Sequence, residues 1–248
     1  MAEAKSYRLP PSVIPERYEL KLTPDLTGWT FTGQEKVSVQ IAEAVRDIVL
    51  NAAELDLHRV SLKRADGRVV EGRAILDPEN ERAKLSFAEI LPAGRAELLI
   101  EFSGILNDKL HGFYRSTYKA ADGQDQPLAS TQFESTDARR AFPCWDEPAL
   151  KAVFQVTLVV DEKLTAISNA RIIRETHLDG TGKKEVIFAD SIKMSTYLVA
   201  FIVGEFEATE AVFAGDAPLR VCAVPGKKLL TRFALDIGKA SLDYFSRY

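Results

Sequence analysis

The sequence predicts a mainly β protein, a sandwich or barrel of many short strands, ending in one amphipathic helix. Three observations predict it. Apolar and polar residues alternate with a period of two through short runs. Breaks containing Gly, Pro or Asp separate those runs at roughly ten-residue spacing. From Lys227 onward the apolar residues instead recur at three- and four-residue steps.

Taken in order, residues 18–22 (Tyr-Glu-Leu-Lys-Leu) and 36–41 (Lys-Val-Ser-Val-Gln-Ile) alternate cleanly. Successive strand side chains point to opposite faces, so each run can bury one apolar row. Residues 48–50, 57–62, 68–76, 84–87 and 97–102 continue the set, broken by Pro24-Asp25, Ala65-Asp66-Gly67, Asp77-Pro78 and Pro92-Ala93-Gly94. A second set covers 154–160, 165–169, 185–188 and 197–203, with Asp179-Gly180-Thr181-Gly182 as a turn. Residues 197–203 are continuously apolar and predict a strand buried on both faces. After Pro225-Gly226, Leu230, Phe233, Ala234, Ile237, Ser241, Tyr244 and Phe245 form the stripe of an amphipathic helix. Nothing downstream is available to cover that stripe, which predicts a natural polypeptide that continues.

The 248 residues are 46% hydrophobic, 27% charged and 9% aromatic, an ordinary globular composition. A net charge of -4 leaves no basic footprint for nucleic acid or an anionic membrane. Residues 1–8 contain no apolar leader segment. The longest apolar run, 197–203, is far shorter than the ~20 residues of a spanning helix. Cys144 and Cys222 cannot build a disulfide framework, and free thiols fit a reducing compartment. The expected location is cytoplasmic, with no membrane and no nucleic-acid partner.

Histidine usage constrains chemistry further. His58, His111 and His177 are the only three, and none belongs to an H-E-x-x-H pair. Each reads as a surface or packing residue. The lone cysteines lack C-x-x-C spacing, and no nucleophile elbow, P-loop or dinucleotide fingerprint occurs. No catalytic residue and no metal ligand is therefore expected in this chain.

The informative segment is 130–154, Ser-Thr-Gln-Phe-Glu-Ser-Thr-Asp-Ala-Arg-Arg-Ala-Phe-Pro-Cys-Trp-Asp-Glu-Pro-Ala-Leu-Lys-Ala-Val-Phe. It reads as a strand carrying Gln132 and Glu134 on one face, then a polar turn stiffened by Pro143 and Pro148. Asp137, Arg139, Arg140, Asp146 and Glu147 crowd that turn. They read as either a recognition surface or an ion-pair network holding an irregular crossover. Mixed signs in one turn favour mutual pairing.

The segment resembles the hallmark of the N-terminal domain of the aminopeptidase N (gluzincin) family, T-Q-F-E-x-T-x-A-R-x-x-F-P-C-x-D-E-P-x-x-K-A-x-F. Tyr7-Arg8-Leu9-Pro10, Val13 to Tyr18, Phe31-Thr32-Gly33, Gly112 to Ser116, Lys193 to Phe201 and Gly204-Glu205-Phe206 extend the likeness over nearly the whole chain. The resemblance implies a saddle-shaped β-sandwich over residues 1–208. Residues 209–248 would open a thermolysin-like domain whose zinc ligands and catalytic base lie beyond Tyr248. It also implies that Gln132 lines the pocket for a substrate's first side chain and that Glu134 binds its free α-amine. The cofactor of the parent enzyme would be zinc, with none in this chain. The partners would be peptide N-termini and the missing catalytic domain. Alone, the chain should be inactive. An alternative is a non-catalytic relative that uses the saddle for protein interaction.

Overall fold

The computed structural model describes residues 7–248, so most of the segment 1–8 read for a leader falls outside the described residues. Alternation becomes strand as expected. β1 (Val13–Asp25) and β2 (Thr30–Ile41) pair antiparallel, with one irregularity between Pro15 and Arg17. Their inward residues Tyr18, Leu20, Leu22, Val37 and Val39 are buried. Then follow β3 (Val45–Asn51), β4 (Leu55–Arg64), β5 (Val69–Asp77), β6 (Arg82–Leu91) and β7 (Gly94–Ile105). β8 (Gly112–Lys119) and β9 (Asp125–Gln132) form a hairpin, and β10 (Val153–Asp161), β11 (Thr165–Ser168), β12 (Ile172–Leu178), β13 (Lys183–Phe188) and β14 (Phe201–Gly204) complete the main body.

These strands make two sheets. Ten strands run in the order β12-β13-β10-β1-β2-β7-β4-β5-β6-β3, and four in the order β11-β14-β9-β8. Aromatic rings join them. Phe31 on β2 meets Phe113 on β8 at 5.2 Å between centroids, and Phe113 meets Phe201 on β14 at 4.9 Å. Close approach needs glycine: a Cβ on Gly33 would lie 2.2 Å from the Phe102 ring, and one on Gly104 would lie 2.4 Å from Phe31. The mainly β expectation holds.

The chain leaves the small sheet at Gln132 and enters the large one at Val153, where β10 pairs parallel to β1. Residues 133–152 are the crossover that carries the chain from the small sheet into the large one. Its interior is anchored hard. Phe142, Cys144 and Trp145 are fully buried. Cys144 exchanges backbone hydrogen bonds with Asn51 at 2.7 and 2.9 Å, and Trp145 N donates to the Tyr18 hydroxyl at 3.2 Å.

Three expectations are corrected. The apolar run 197–203 is not one strand: Thr196–Leu198 is a 3-10 turn, and only Phe201–Gly204 pairs as β14. Side chains take over the backbone groups there. Asn169 accepts from Ala200 N and donates to Leu198 O, both at 2.8 Å, while Thr196 Oγ1 donates to Trp145 O at 2.9 Å. β12 was not expected, because as an edge strand with six exposed residues it has no apolar alternation to read. Glu134 does not share a strand face with Gln132; β9 stops at Gln132 and Glu134 sits in the turn beyond.

Beyond Gly204 no described residue is buried. β15 (Glu207–Ala208) pairs with β18 (Cys222–Ala223), and β16 (Val212–Ala214) with β17 (Ala217–Leu219). A 3-10 turn, Lys228–Thr231, leads into α1 (Arg232–Phe245), where the sequence predicted helix. The helix meets the β16–β17 hairpin at Gly238, beside Leu219.

Candidate functional site

The site is the first third of the crossover. Phe133, buried to 2%, stakes the chain to the aromatic core, 6.0 Å from Phe142 and 5.8 Å from Phe201. Asp137 N donates to Phe133 O at 2.8 Å, closing a turn around Glu134, Ser135 and Thr136. The Glu134–Ser135 peptide bond is cis. Gln132 lies opposite Gly112 of β8, and its Nε2 donates to Glu134 O at 3.4 Å. Gln132 and Glu134 are both exposed.

The charges predicted for this turn do pair. Arg139 Nε donates to Asp146 at 3.0 Å and its Nη1 to Glu81 at 3.1 Å. Arg140 Nε donates to Asp137 at 2.9 Å, Nη1 to Glu54 at 2.7 Å, and Nη2 to Glu81. Glu147 accepts from Arg8 at 3.1 Å and from the Leu9 backbone. Burial pushes the Asp146 carboxyl up, and the Arg139 hydrogen bond opposes the shift. One carboxylate in the segment stands outside this network. The Glu134 side chain makes no hydrogen bond or ion pair with any described residue.

The supports are themselves held in uncommon backbone conformations. Glu54, Glu81 and Leu110 have φ of 56°, 51° and 62°. Left-handed non-glycine residues cost roughly 1–3 kcal/mol each and persist where surrounding contacts over-determine them. Here Glu54 and Glu81 reach Arg140, and Leu110 precedes His111, whose Nδ1 lies 3.1 Å from Asp137 Oδ1. Gly112 has φ of 67°, and a Cβ there would stand 2.9 Å from the Arg140 Cβ. Sequence reading missed Glu54, Glu81 and His111 as parts of the site. They come from three loops that only the tertiary fold brings together.

A crevice of about 420 Å³ is lined by Arg139, Asp146, Glu147 and Thr136 together with Asn51 and Glu81. Gln132 and Glu134 are not part of that lining. The remaining histidines make surface contacts: His58 with Ser103 at 2.8 Å and His177 with Glu162 at 3.3 Å. Cys144 is buried, with its thiol pushed up by burial, and Cys222 is exposed. Among the described residues no cluster of three or more His, Cys, Asp or Glu side chains could hold a metal ion. No described helix is long and apolar enough to cross a membrane.

Comparison with known proteins defines the class. Residues 14–198 match the family described as the peptidase M1 N-terminal domain. The chain is 43% identical over 245 residues to aminopeptidase M1 of Arabidopsis thaliana, covering 97% of this chain and 28% of that protein. It is 40% identical over 248 residues to the puromycin-sensitive aminopeptidase of Caenorhabditis elegans, covering 100% and 26%. Human endoplasmic reticulum aminopeptidase 1 is 37% identical over 245 residues, covering 97% and 26%. The chain belongs to the peptidase M1 N-terminal domain family, and it spans little more than a quarter of the length of these curated relatives.

Proposed function

We propose that this chain is the substrate-binding N-terminal domain of a zinc aminopeptidase, with Glu134 receiving the substrate's free α-amine and Gln132 bordering the pocket for its first side chain. The single observation that carries this reading is the state of Glu134: an exposed carboxylate without a partner among the described residues, on a turn whose other charges are all paired. An α-amine has a pKa near ~8 and is largely cationic at neutral pH. A charge-assisted hydrogen bond from it to a preoriented carboxylate is worth roughly 1.5–3 kcal/mol net. Internal peptide segments carry no such charge and would be rejected. The same contact fixes the distance from chain terminus to scissile bond. A scaffold used only for protein interaction has no use for a braced, unpaired acid at this place.

Residues 1–208 are proposed as the β domain and 209–248 as the opening of a catalytic domain. The exposed apolar residues of the last 3-10 turn and of α1 support this division: Leu229, Leu230, Phe233, Tyr244 and Phe245 are each 62% exposed or more. The zinc would be held by that catalytic domain. We place the protein in the cytoplasm on the strength of its free thiols. The 248-residue chain alone is expected to bind no zinc stoichiometrically and to release no amino acid from aminoacyl reporters. Metal analysis finding one tight zinc per chain would overturn that part.

The test of the site is steady-state kinetics on the longer polypeptide. Glu134→Ala should lower kcat/KM for unblocked aminoacyl substrates by about 10- to 150-fold, the equivalent of the lost contact. Gln132→Ala should reorder preference among first-residue side chains. An unchanged ranking would remove Gln132 from the pocket.

A further inference from the structure

We infer that His111 is a positioning residue for the Glu134 turn, acting through Asp137. The inference rests on the reading of Glu134 as the amine acceptor, and it concerns what holds that acid in place.

The turn has two posts. Phe133 forms the first by burial, and Asp137 forms the second, because its backbone N–H closes the turn onto Phe133 O. The Asp137 side chain is gripped from both sides. Arg140 approaches Oδ1 from the following 3-10 turn at 2.9 Å, and His111 Nδ1 approaches the same oxygen from the loop before β8 at 3.1 Å. That loop is folded onto itself, so the ring is aimed rather than free. Asn107 Nδ2 donates to His111 O at 2.9 Å, Asn107 Oδ1 accepts from Lys109 N at 2.8 Å, and Asn107 O accepts from Arg115 N at 2.7 Å. Immediately after the ring, Gly112 pairs with Gln132, so one short stretch touches both ends of the proposed site.

Arg140 divides its guanidinium among Asp137, Glu54 and Glu81, and Arg139 shares Glu81 and also holds Asp146, so two positive charges face four carboxylates. The acid next to Glu134 is thus undercompensated by arginine alone. A protonated His111 supplies the missing positive charge; a neutral ring supplies at most a hydrogen bond. The charged groups that bear on His111 are therefore Asp137 directly, and Arg140, Glu54 and Glu81 through it. The turn should be held most tightly with His111 protonated and relax as the ring loses its proton. His111 touches no substrate in this scheme.

The experiment is a pH titration of the 248-residue chain by NMR, following the His111 ring and the backbone amides of Ser135, Thr136 and Asp137. In the wild type the amides should titrate with the midpoint of the ring. In His111→Asn, whose amide nitrogen can stand where Nδ1 does, they should stay near their wild-type positions and cease to titrate. In His111→Leu they should be displaced at every pH. In the longer polypeptide His111→Leu should raise KM severalfold with kcat retained, and His111→Asn should restore KM. Amides indifferent to both the ring titration and His111→Leu would overturn the inference. Failure of the amine reading would show differently: Glu134→Ala would leave kinetics unchanged while the NMR coupling persisted.

Discussion

Two glutamates in this chain have opposite environments and opposite consequences. Glu134 is exposed and has no side-chain partner among the described residues. Glu35 on β2 points inward, and neither of its oxygens, nor the nearby core's Trp145 Nε1, has a hydrogen-bond partner among the described residues. Burial pushes the Glu35 carboxyl well above its ordinary value of 4.5. The folded chain then holds a proton that the unfolded chain gives up once pH passes the usual carboxylate range. Stability from this group is full below that range and declines as pH rises toward the folded-state value, by up to about 1.4 kcal/mol per pH unit. Glu35→Leu should therefore be more stable than wild type at pH 8, by about 1–3 kcal/mol from the unpaired oxygens alone. The gap should shrink at acidic pH. Urea midpoints for the two proteins that run parallel between the two conditions would refute this. Glu35 was unreadable as an exception, since alternation places it in an apolar row without saying which neighbours could satisfy it.

At the scale of elements the crossover decides the site. Its ion pairs link the first turn to loops before β4 and β6, and the tightest member is Arg139 with Asp146, at 12% and 2% side-chain exposure. Removing one partner from a buried pair leaves an uncompensated charge, at about 3–5 kcal/mol. Arg139→Leu should cost that much by denaturant unfolding, and Arg139→Leu/Asp146→Leu should recover most of it. A double variant as unstable as the single would show that the pair itself, rather than the orphaned acid, carries the stability. Much of this was legible: the density of mixed charge between Gln132 and Val153 announced an ion-paired crossover. What composition could not reveal was geometry. Alternation suggested Gln132 and Glu134 on one strand face, but the Phe133–Asp137 hydrogen bond ends the strand between them. Likewise the apolar run 197–203 breaks because Asn169 and Thr196 satisfy its backbone, a tertiary effect outside any local pattern.

For the whole molecule, stability is concentrated in the two sheets. Among the described residues, every buried hydrophobic side chain lies between Leu9 and Val203. The segment after Gly204 contributes two two-stranded ribbons and a helix with no buried residue, so it should open locally at little cost. Amides of 205–248 should exchange with solvent orders of magnitude faster than those of β1, β2 and β7. Comparable protection in both regions would mean that the helix is held by the sheets. The strand-rich architecture and the change of period near Pro225 were both visible in sequence, because each is written in local periodicity. The pairing order, with β10 parallel to β1, was not, since it depends on contacts more than a hundred residues apart.

The central claim is an electrostatic one: the acid at position 134 meets the cationic end of a substrate. A double cycle tests it most directly. Inhibition constants would be measured in the longer polypeptide for an amino-terminal inhibitor and for its analogue with the amine replaced by hydrogen, each against wild type and Glu134→Gln. The account predicts a coupling of about 1.5–3 kcal/mol between the amine and the carboxylate. Additive effects, with the amine worth as much to the variant as to the wild type, would contradict it.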